Sequence, residues 1–183
     1  MVRFGLLFLF AFLSSFAAQA APQYSAPSGT VAEYRLGIGD DVRIDVRDEP
    51  DLSIEAQLQA DGIIKYPFLG NLMAKGKTVS QLQHEITMGL RGGYLVNPDV
   101  RVRVVSYRQF YVTGQVARAG GYPYVLGLTV EKAATLAGGF TDRASLSSIY
   151  IVREGKTQSQ KLKVTLDTLV YPGDTIIVEE SPF

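Results

Sequence analysis

The chain contains no cysteine, no tryptophan and one histidine. Without cysteine there are no disulfides, so stability has to come from packing or assembly, and there is no thiol to carry the lipid of a bacterial lipoprotein. With His84 as the only imidazole, a zinc site would draw nearly all its ligands from carboxylates, against the usual nitrogen and sulfur donors. A Ser–His–acid triad has one candidate base and no G-x-S-x-G elbow to present a nucleophile. His84 is read instead as a helix-flank residue. An excess of one charge is also missing. Lysine and arginine number 18 and aspartate and glutamate 18, which leaves no electrostatic footprint for nucleic acid or for an anionic membrane. Beyond the N-terminal leader, no apolar run approaches the roughly 20 residues that a spanning helix needs.

What is present begins with that leader. Met1–Arg3 is a short positive start, Phe4–Leu13 is apolar apart from Gly5, and small residues end in Ala18-Gln19-Ala20. This order predicts a secretory signal peptide over residues 1–20, cut between Ala20 and Ala21. A membrane anchor would need a longer run than one broken at Ser14-Ser15. Residues 21–32 are rich in Pro, Ser, Ala and Gly and predict a flexible segment.

From Tyr34 onward the pattern is mostly strand. Val42, Ile44 and Val46 alternate with charged residues, as do Ile54, Ala56 and Leu58 with polar ones, the period of a half-buried strand. Asp61-Gly62 predicts a tight reversal that returns Ile63–Tyr66 as the partner strand, with Pro67 marking an edge or exit. A helix is predicted over Val79–Arg91, capped by Thr78 with Gln81 and carrying Val79, Leu82, Ile86 and Leu90 on one stripe. Asn97-Pro98 then turns the chain into a strand through Val100, Val102 and Val104. A second unit opens near Tyr107, with a strand over Phe110–Val116 and a turn at Gly120-Gly121. A helix is predicted over Val130–Ala137, capped by Thr129 and closed by Gly138-Gly139. Strands follow at Ile149–Val152, Lys161–Val164 and Thr175–Val178. Gly39-Asp40 and Gly173-Asp174 each precede an alternating strand, an echo that reads as one turn used twice. Strands flanking a single helix, twice over, predict an α+β chain of two small strand-rich modules.

Catalytic chemistry is hard to find. The acidic clusters Asp40-Asp41, Asp48-Glu49-Asp51 and Glu179-Glu180 lie in predicted turns or at the chain end. Neighbours on a strand point to opposite faces, so Asp40 and Asp41 do not converge as a glycosidase pair would. Gly37-Ile38-Gly39 lacks the third glycine and the helix of a nucleotide fingerprint. No cofactor is implied. Tyr107, Phe110, Tyr111, Tyr122 and Tyr124 cluster in sequence, and tyrosine suits contact with sugar rings, a subunit interface or a core. Tyr107, Arg108 and Tyr111 are the candidate polysaccharide contacts, while Arg101 and Arg103 share one strand face.

The stretch Tyr34-Arg35-Leu36-Gly37-Ile38-Gly39-Asp40-Asp41-Val42 with Ile44-Asp45-Val46 resembles the opening of the polysaccharide export domain. Asp61-Gly62-Ile63-Ile64, Tyr66-Pro67-Phe68-Leu69-Gly70, Thr78-Val79 and Asn97-Pro98-Asp99-Val100 continue that resemblance in order. From Phe110 the chain resembles an SLBB module, a β-grasp-like fold, through Val112-Thr113-Gly114-Gln115-Val116, Gly120-Gly121-Tyr122, Leu128-Thr129-Val130, Ala137-Gly138-Gly139-Phe140 and Tyr171-Pro172-Gly173-Asp174-Thr175-Ile176. The resemblance divides the chain into residues 33–106 as an export domain, 107–179 as an SLBB domain and 180–183 as a short tail. Its motif residues Gly39, Asp40, Asp61, Gly62, Pro67, Gly70, Pro98, Gly114, Gly120, Gly138, Gly139, Gly173 and Asp174 are read as structural.

The resemblance implies a Wza-like, non-enzymatic component of a capsule or exopolysaccharide export machine. Such proteins form rings, meet an inner-membrane copolymerase and pass polymer outward. Expected partners are the polymer, further copies of the chain and the copolymerase. Two departures from the family pattern stand out: there is no lipid-bearing cysteine, and only five residues follow Val178, where relatives continue into a membrane-crossing helix. The expectation is a periplasmic, outer-membrane-associated protein that uses a separate outer-membrane β-barrel porin. The competing expectations are a monomeric periplasmic glycan-binding module and a polysaccharide-modifying enzyme.

Overall fold

The computed structural model describes residues 34–182. The expected signal peptide, its expected cleavage between Ala20 and Ala21 and the 21–32 segment lie outside the described residues. Among those described, no helix is long and apolar enough to cross a membrane.

The first module is built on β1 (Asp41–Val46), β2 (Ile54–Gln57) and β5 (Val100–Ser106), in the sheet order β2-β1-β5 with both pairings antiparallel. Val42, Ile44 and Val46 face inward, Ile44 opposite both Ile54 and Val102. Helix α1 (Val79–Arg91) lies against β5 and buries Leu82, Ile86 and Leu90 completely. Its start is fixed by a capping box: Thr78 Oγ1 accepts from Gln81 N–H, and Gln81 Oε1 accepts from Thr78 N–H.

The expected partnership of the second and third strands does not form. β3 (Ile63–Tyr66) pairs instead with β4 (Gly70–Met73), a strand the pattern did not suggest, in a separate two-stranded sheet. Asp61-Gly62 does reverse the chain, with Asp61 Oδ1 accepting from Ile63 N–H. However, the Gly62 carbonyl is taken by Ala74 and Lys75, just past the far end of β4, while β2 is committed to β1. Pro67 therefore sits in the β3–β4 turn, and Gly70 opens β4. Pro98 is buried ahead of β5.

The second module is a five-stranded mixed sheet. Its strands are β6 (Phe110–Gly114), β7 (Gly120–Tyr122), β8 (Ala144–Val152), β9 (Leu162–Val164) and β10 (Thr175–Glu180), in the order β7-β6-β10-β8-β9. The first and last strands, β6 and β10, lie side by side and parallel, and α2 (Val130–Leu136) buries Val130 and Ala133 in the same core. That arrangement is the β-grasp. Gly120-Gly121 is not a turn but part of edge strand β7, because the reversal is completed earlier, across residues 115–119. Gly138 and Gly139 follow α2 as expected, and β10 runs two residues beyond the predicted strand, as far as Glu180. At Gly114 the backbone has φ +89°, and an added Cβ would collide with the Val178 carbonyl. Only glycine allows the two central strands to approach so closely.

Each module has its own core. One gathers Leu36, Ile44, Leu58, Ile64 and the α1 stripe; the other gathers Phe110, Ile149, Ile151, Ile176 and the α2 face.

Candidate functional site

The sequence echo is a structural one. Gly37–Asp40 and Tyr171–Asp174 are both turns closed by a backbone bond from the aspartate N–H to the carbonyl three residues earlier, at 3.2 and 3.1 Å. Each has glycine at the third position with positive φ, +92° at Gly39 and +84° at Gly173, as a type II turn requires. Each aspartate carboxylate then accepts from the N–H that opens its own turn, Gly37 N–H at 2.7 Å and Tyr171 N–H at 2.7 Å. Asp40 and Asp174 are the buried carboxylates of the described chain, 0% and 1% exposed.

A buried carboxylate needs a counter-charge, and each turn has an arginine. Arg153 pairs with Asp174 and lies over the Tyr171 ring, 4.8 Å from its centroid. Burial pushes the Asp174 carboxyl above its usual range, while the Tyr171 N–H and Arg153 pull it down. Arg108 serves the first turn from the linker between the modules. Its Nη1 donates to Asp40 Oδ2 at 3.0 Å and to Tyr34 Oη at 2.5 Å, and its backbone N–H donates to Asp40 Oδ1 at 2.9 Å. Tyr34 Oη in turn donates to Asp40 Oδ2 at 2.5 Å. The other arm of the guanidinium, Nη2, pairs with Glu154 of the second module. Arg108 thus ties Asp40 of the export module to Glu154 of the β-grasp module. Gly37 makes room for it, since a Cβ there would lie 2.5 Å from the guanidinium carbon.

Electrostatics follow from this packing. Burial, then the Asp40 hydrogen bond, raises the Tyr34 phenol well above its ordinary value. Burial works against the charge of Arg108, but Tyr34, Asp40 and Glu154 outweigh it and hold the guanidinium pKa above its usual value. Tyr107 extends the contact, edge-on to Tyr34 at 5.0 Å and to Tyr124 at 5.4 Å between ring centroids.

Beside this clasp lies an open cleft of about 580 Å³ between the modules. Of the three residues suggested for polysaccharide contact, all line it, but in different states. Tyr111 is 49% exposed, Tyr107 is half-buried between two tyrosines, and the Arg108 side chain is only 14% exposed and committed to Asp40 and Glu154. Asp41, Gln57, Gln109 and Glu154 also face the cleft. Sequence reading did not single out Tyr34, Gln57, Gln109 or Glu154, nor did it suggest the clasp; the Gly-Asp echo was the one available signal. Asp40 and Asp41 diverge, Asp40 into the clasp and Asp41 to the cleft, where it accepts from Ser106 Oγ at 2.5 Å. Among the described residues no group of three or more His, Asp or Glu side chains is placed to hold a metal, and His84 is exposed.

The architecture is therefore that of a two-domain export-type chain, a small α+β module clasped to a β-grasp. Residues 28–105 match the family model of the polysaccharide biosynthesis/export proteins, and residues 109–161 match that of the SLBB domain. The chain therefore carries a polysaccharide biosynthesis/export domain followed by an SLBB domain. It is 36% identical over 119 residues to the exopolysaccharide production protein ExoF of Rhizobium meliloti, covering 58% of this chain and 28% of that one. It is 26% identical over 171 residues to the EPS I polysaccharide export outer membrane protein EpsA of Ralstonia nicotianae, covering 79% and 45%. To EpsA of Ralstonia solanacearum it is 28% identical over 150 residues, covering 67% and 40%. The chain spans less than half the length of these relatives.

Proposed function

We propose that this chain is a periplasmic component of an exopolysaccharide export machine, contributing to a ring-like conduit between an inner-membrane copolymerase and an outer-membrane pore. The observation that carries this reading is the order of domains, export then SLBB, in a chain similar along most of its length to a protein named for polysaccharide export at the outer membrane. Its work is to hold and pass polymer rather than to break bonds. The Arg108 clasp supports a ring subunit, because a closed ring needs each copy to present its two interfaces at one fixed angle. Of the residues read as motif, Gly39-Asp40 and Gly173-Asp174 build paired turns of that subunit, while Gly70, Gly114 and Gly120 lie in its strands.

A monomeric glycan-binding module is the second reading, favoured by the open cleft with its exposed Tyr111. Light scattering on the purified chain separates the two. A discrete, concentration-stable ring supports the conduit, whereas a monomer that persists at high concentration and binds glycan saturably defeats it. Incubation with exopolysaccharide should leave chain length unchanged; shortening would point to an enzyme instead.

A further inference from the structure

We propose that the interdomain cleft is a carbohydrate subsite that takes an uncharged hexose unit of the polymer and disfavours uronic-acid units. The inference rests on the export reading above and adds to it the chemical class that the chain contacts.

A pyranose presents a mostly apolar C–H face and a rim of hydroxyls, each of which donates and accepts. A site for it needs an exposed aromatic surface flanked by planar amides and carboxylates. The cleft supplies these parts. Tyr111, from β6, is half exposed. The side-chain amides of Gln57 and Gln109 are exposed and make no hydrogen bond among the described residues, so both keep donors and acceptor for a ligand. Asp41 and Glu154 add acceptors for paired hydroxyls. At about 580 Å³ the volume falls within the range of small-molecule sites, about 300–1,000 Å³.

The placement of the aromatic is specific. Tyr111 pairs across the strands with Gly121 on β7. A Cβ at position 121 would stand 3.0 Å from Tyr111 Cε1 and 2.5 Å from Gln109 Oε1. Both cleft side chains thus lie in the space that a Cβ at position 121 would take and would have to shift to admit one, although Gly121 has no need of a left-handed backbone. A glycine kept on an edge strand weakens that strand, and here its effect is to seat the ring and the amide at the cleft.

The charge of the lining selects between sugars. Arg108 is its one cation, and the guanidinium is already shared between buried Asp40 and Glu154. One guanidinium cannot offset Asp40, Glu154 and Asp41 together, so a ligand carboxylate meets a net negative lining with no free counter-ion. Neutral hydroxyls meet good acceptors.

Calorimetric titration of the full chain with neutral gluco-, galacto- and manno-configured hexasaccharides, and with hexagalacturonate, tests this. At least one neutral hexamer should bind, and hexagalacturonate at least tenfold more weakly. Tyr111→Ala and Gln109→Ala should each weaken the neutral hexamer tenfold or more, and Gly121→Ala should do so by displacing both, with urea midpoints showing that the variants fold. Asp41→Asn should narrow the gap to hexagalacturonate. The proposal is overturned if no neutral hexamer binds, if the variants bind as well as wild type, or if hexagalacturonate is preferred. In a strain lacking the gene, full secretion restored by the Tyr111→Ala, Gln109→Ala double variant would sink the subsite and leave export standing. Failure of the wild-type chain to restore secretion would sink export itself.

Discussion

Asp40 and Asp41 are neighbours with different surroundings, and single substitutions should separate them. Asp40 is fully buried and accepts from Gly37 N–H, Tyr34 Oη and Arg108. Asp40→Asn should cost about 2–3 kcal/mol, since hydrogen bonds to a charged acceptor are lost and an amide is set against donors. Asp41→Asn should change stability by about 0.5 kcal/mol or less, as an accessible strand residue should. Urea denaturation checks both. Tyr34 gives a pH signature. Its folded pKa is raised above the ordinary value of 10.0, so its contribution is complete below about pH 10 and is lost as pH rises through that value toward the folded one. Tyr34→Phe should be less stable than wild type at neutral pH, with the gap closing above about pH 10. A gap that stays constant to high pH would contradict the clasp geometry.

At the scale of elements, two glycines of the β-grasp sheet make opposite predictions. Gly114→Ala would place a Cβ on the Val178 carbonyl at a positive φ. It should cost well over the about 1–2 kcal/mol of a left-handed alanine by prising β6 from β10. Gly120 has open space around it and no positive φ, so Gly120→Ala should be neutral or slightly stabilising. Thr78→Ala should cost about 1 kcal/mol through loss of the α1 cap. These elements also mark what the sequence could tell. β1, β5 and α1 were legible because Val42, Ile44, Val46 and the Leu82–Ile86–Leu90 stripe carry the period of their element. β4 was not, because Gly70-Asn71-Leu72-Met73 buries only Leu72. Strand β7 was hidden by the turn-like Gly120-Gly121, of which only Gly121 packs closely, against Tyr111 and Gln109. The cleft was partly legible, through Tyr107, Arg108 and Tyr111. The role of Arg108 was not, because its partners Asp40 and Glu154 lie 68 and 46 residues away, and no local pattern reports such a pairing.

For the whole molecule, the clasp decides whether two small cores behave as one body. Arg108→Met leaves Asp40 buried without its counter-charge, a loss of about 3–5 kcal/mol, and removes the side-chain tie between Asp40 and Glu154. Calorimetry should show one unfolding transition for the wild-type chain and two for the variant. On the reading proposed above, the chain serves export of polysaccharide as a clasped pair of domains. The most direct measurement is the polysaccharide secreted by a strain lacking the gene and carrying either wild-type or Arg108→Met protein at equal levels. Secretion should collapse in the null strain, return with the wild-type chain and stay low with Arg108→Met. Undiminished secretion from the null strain would contradict it.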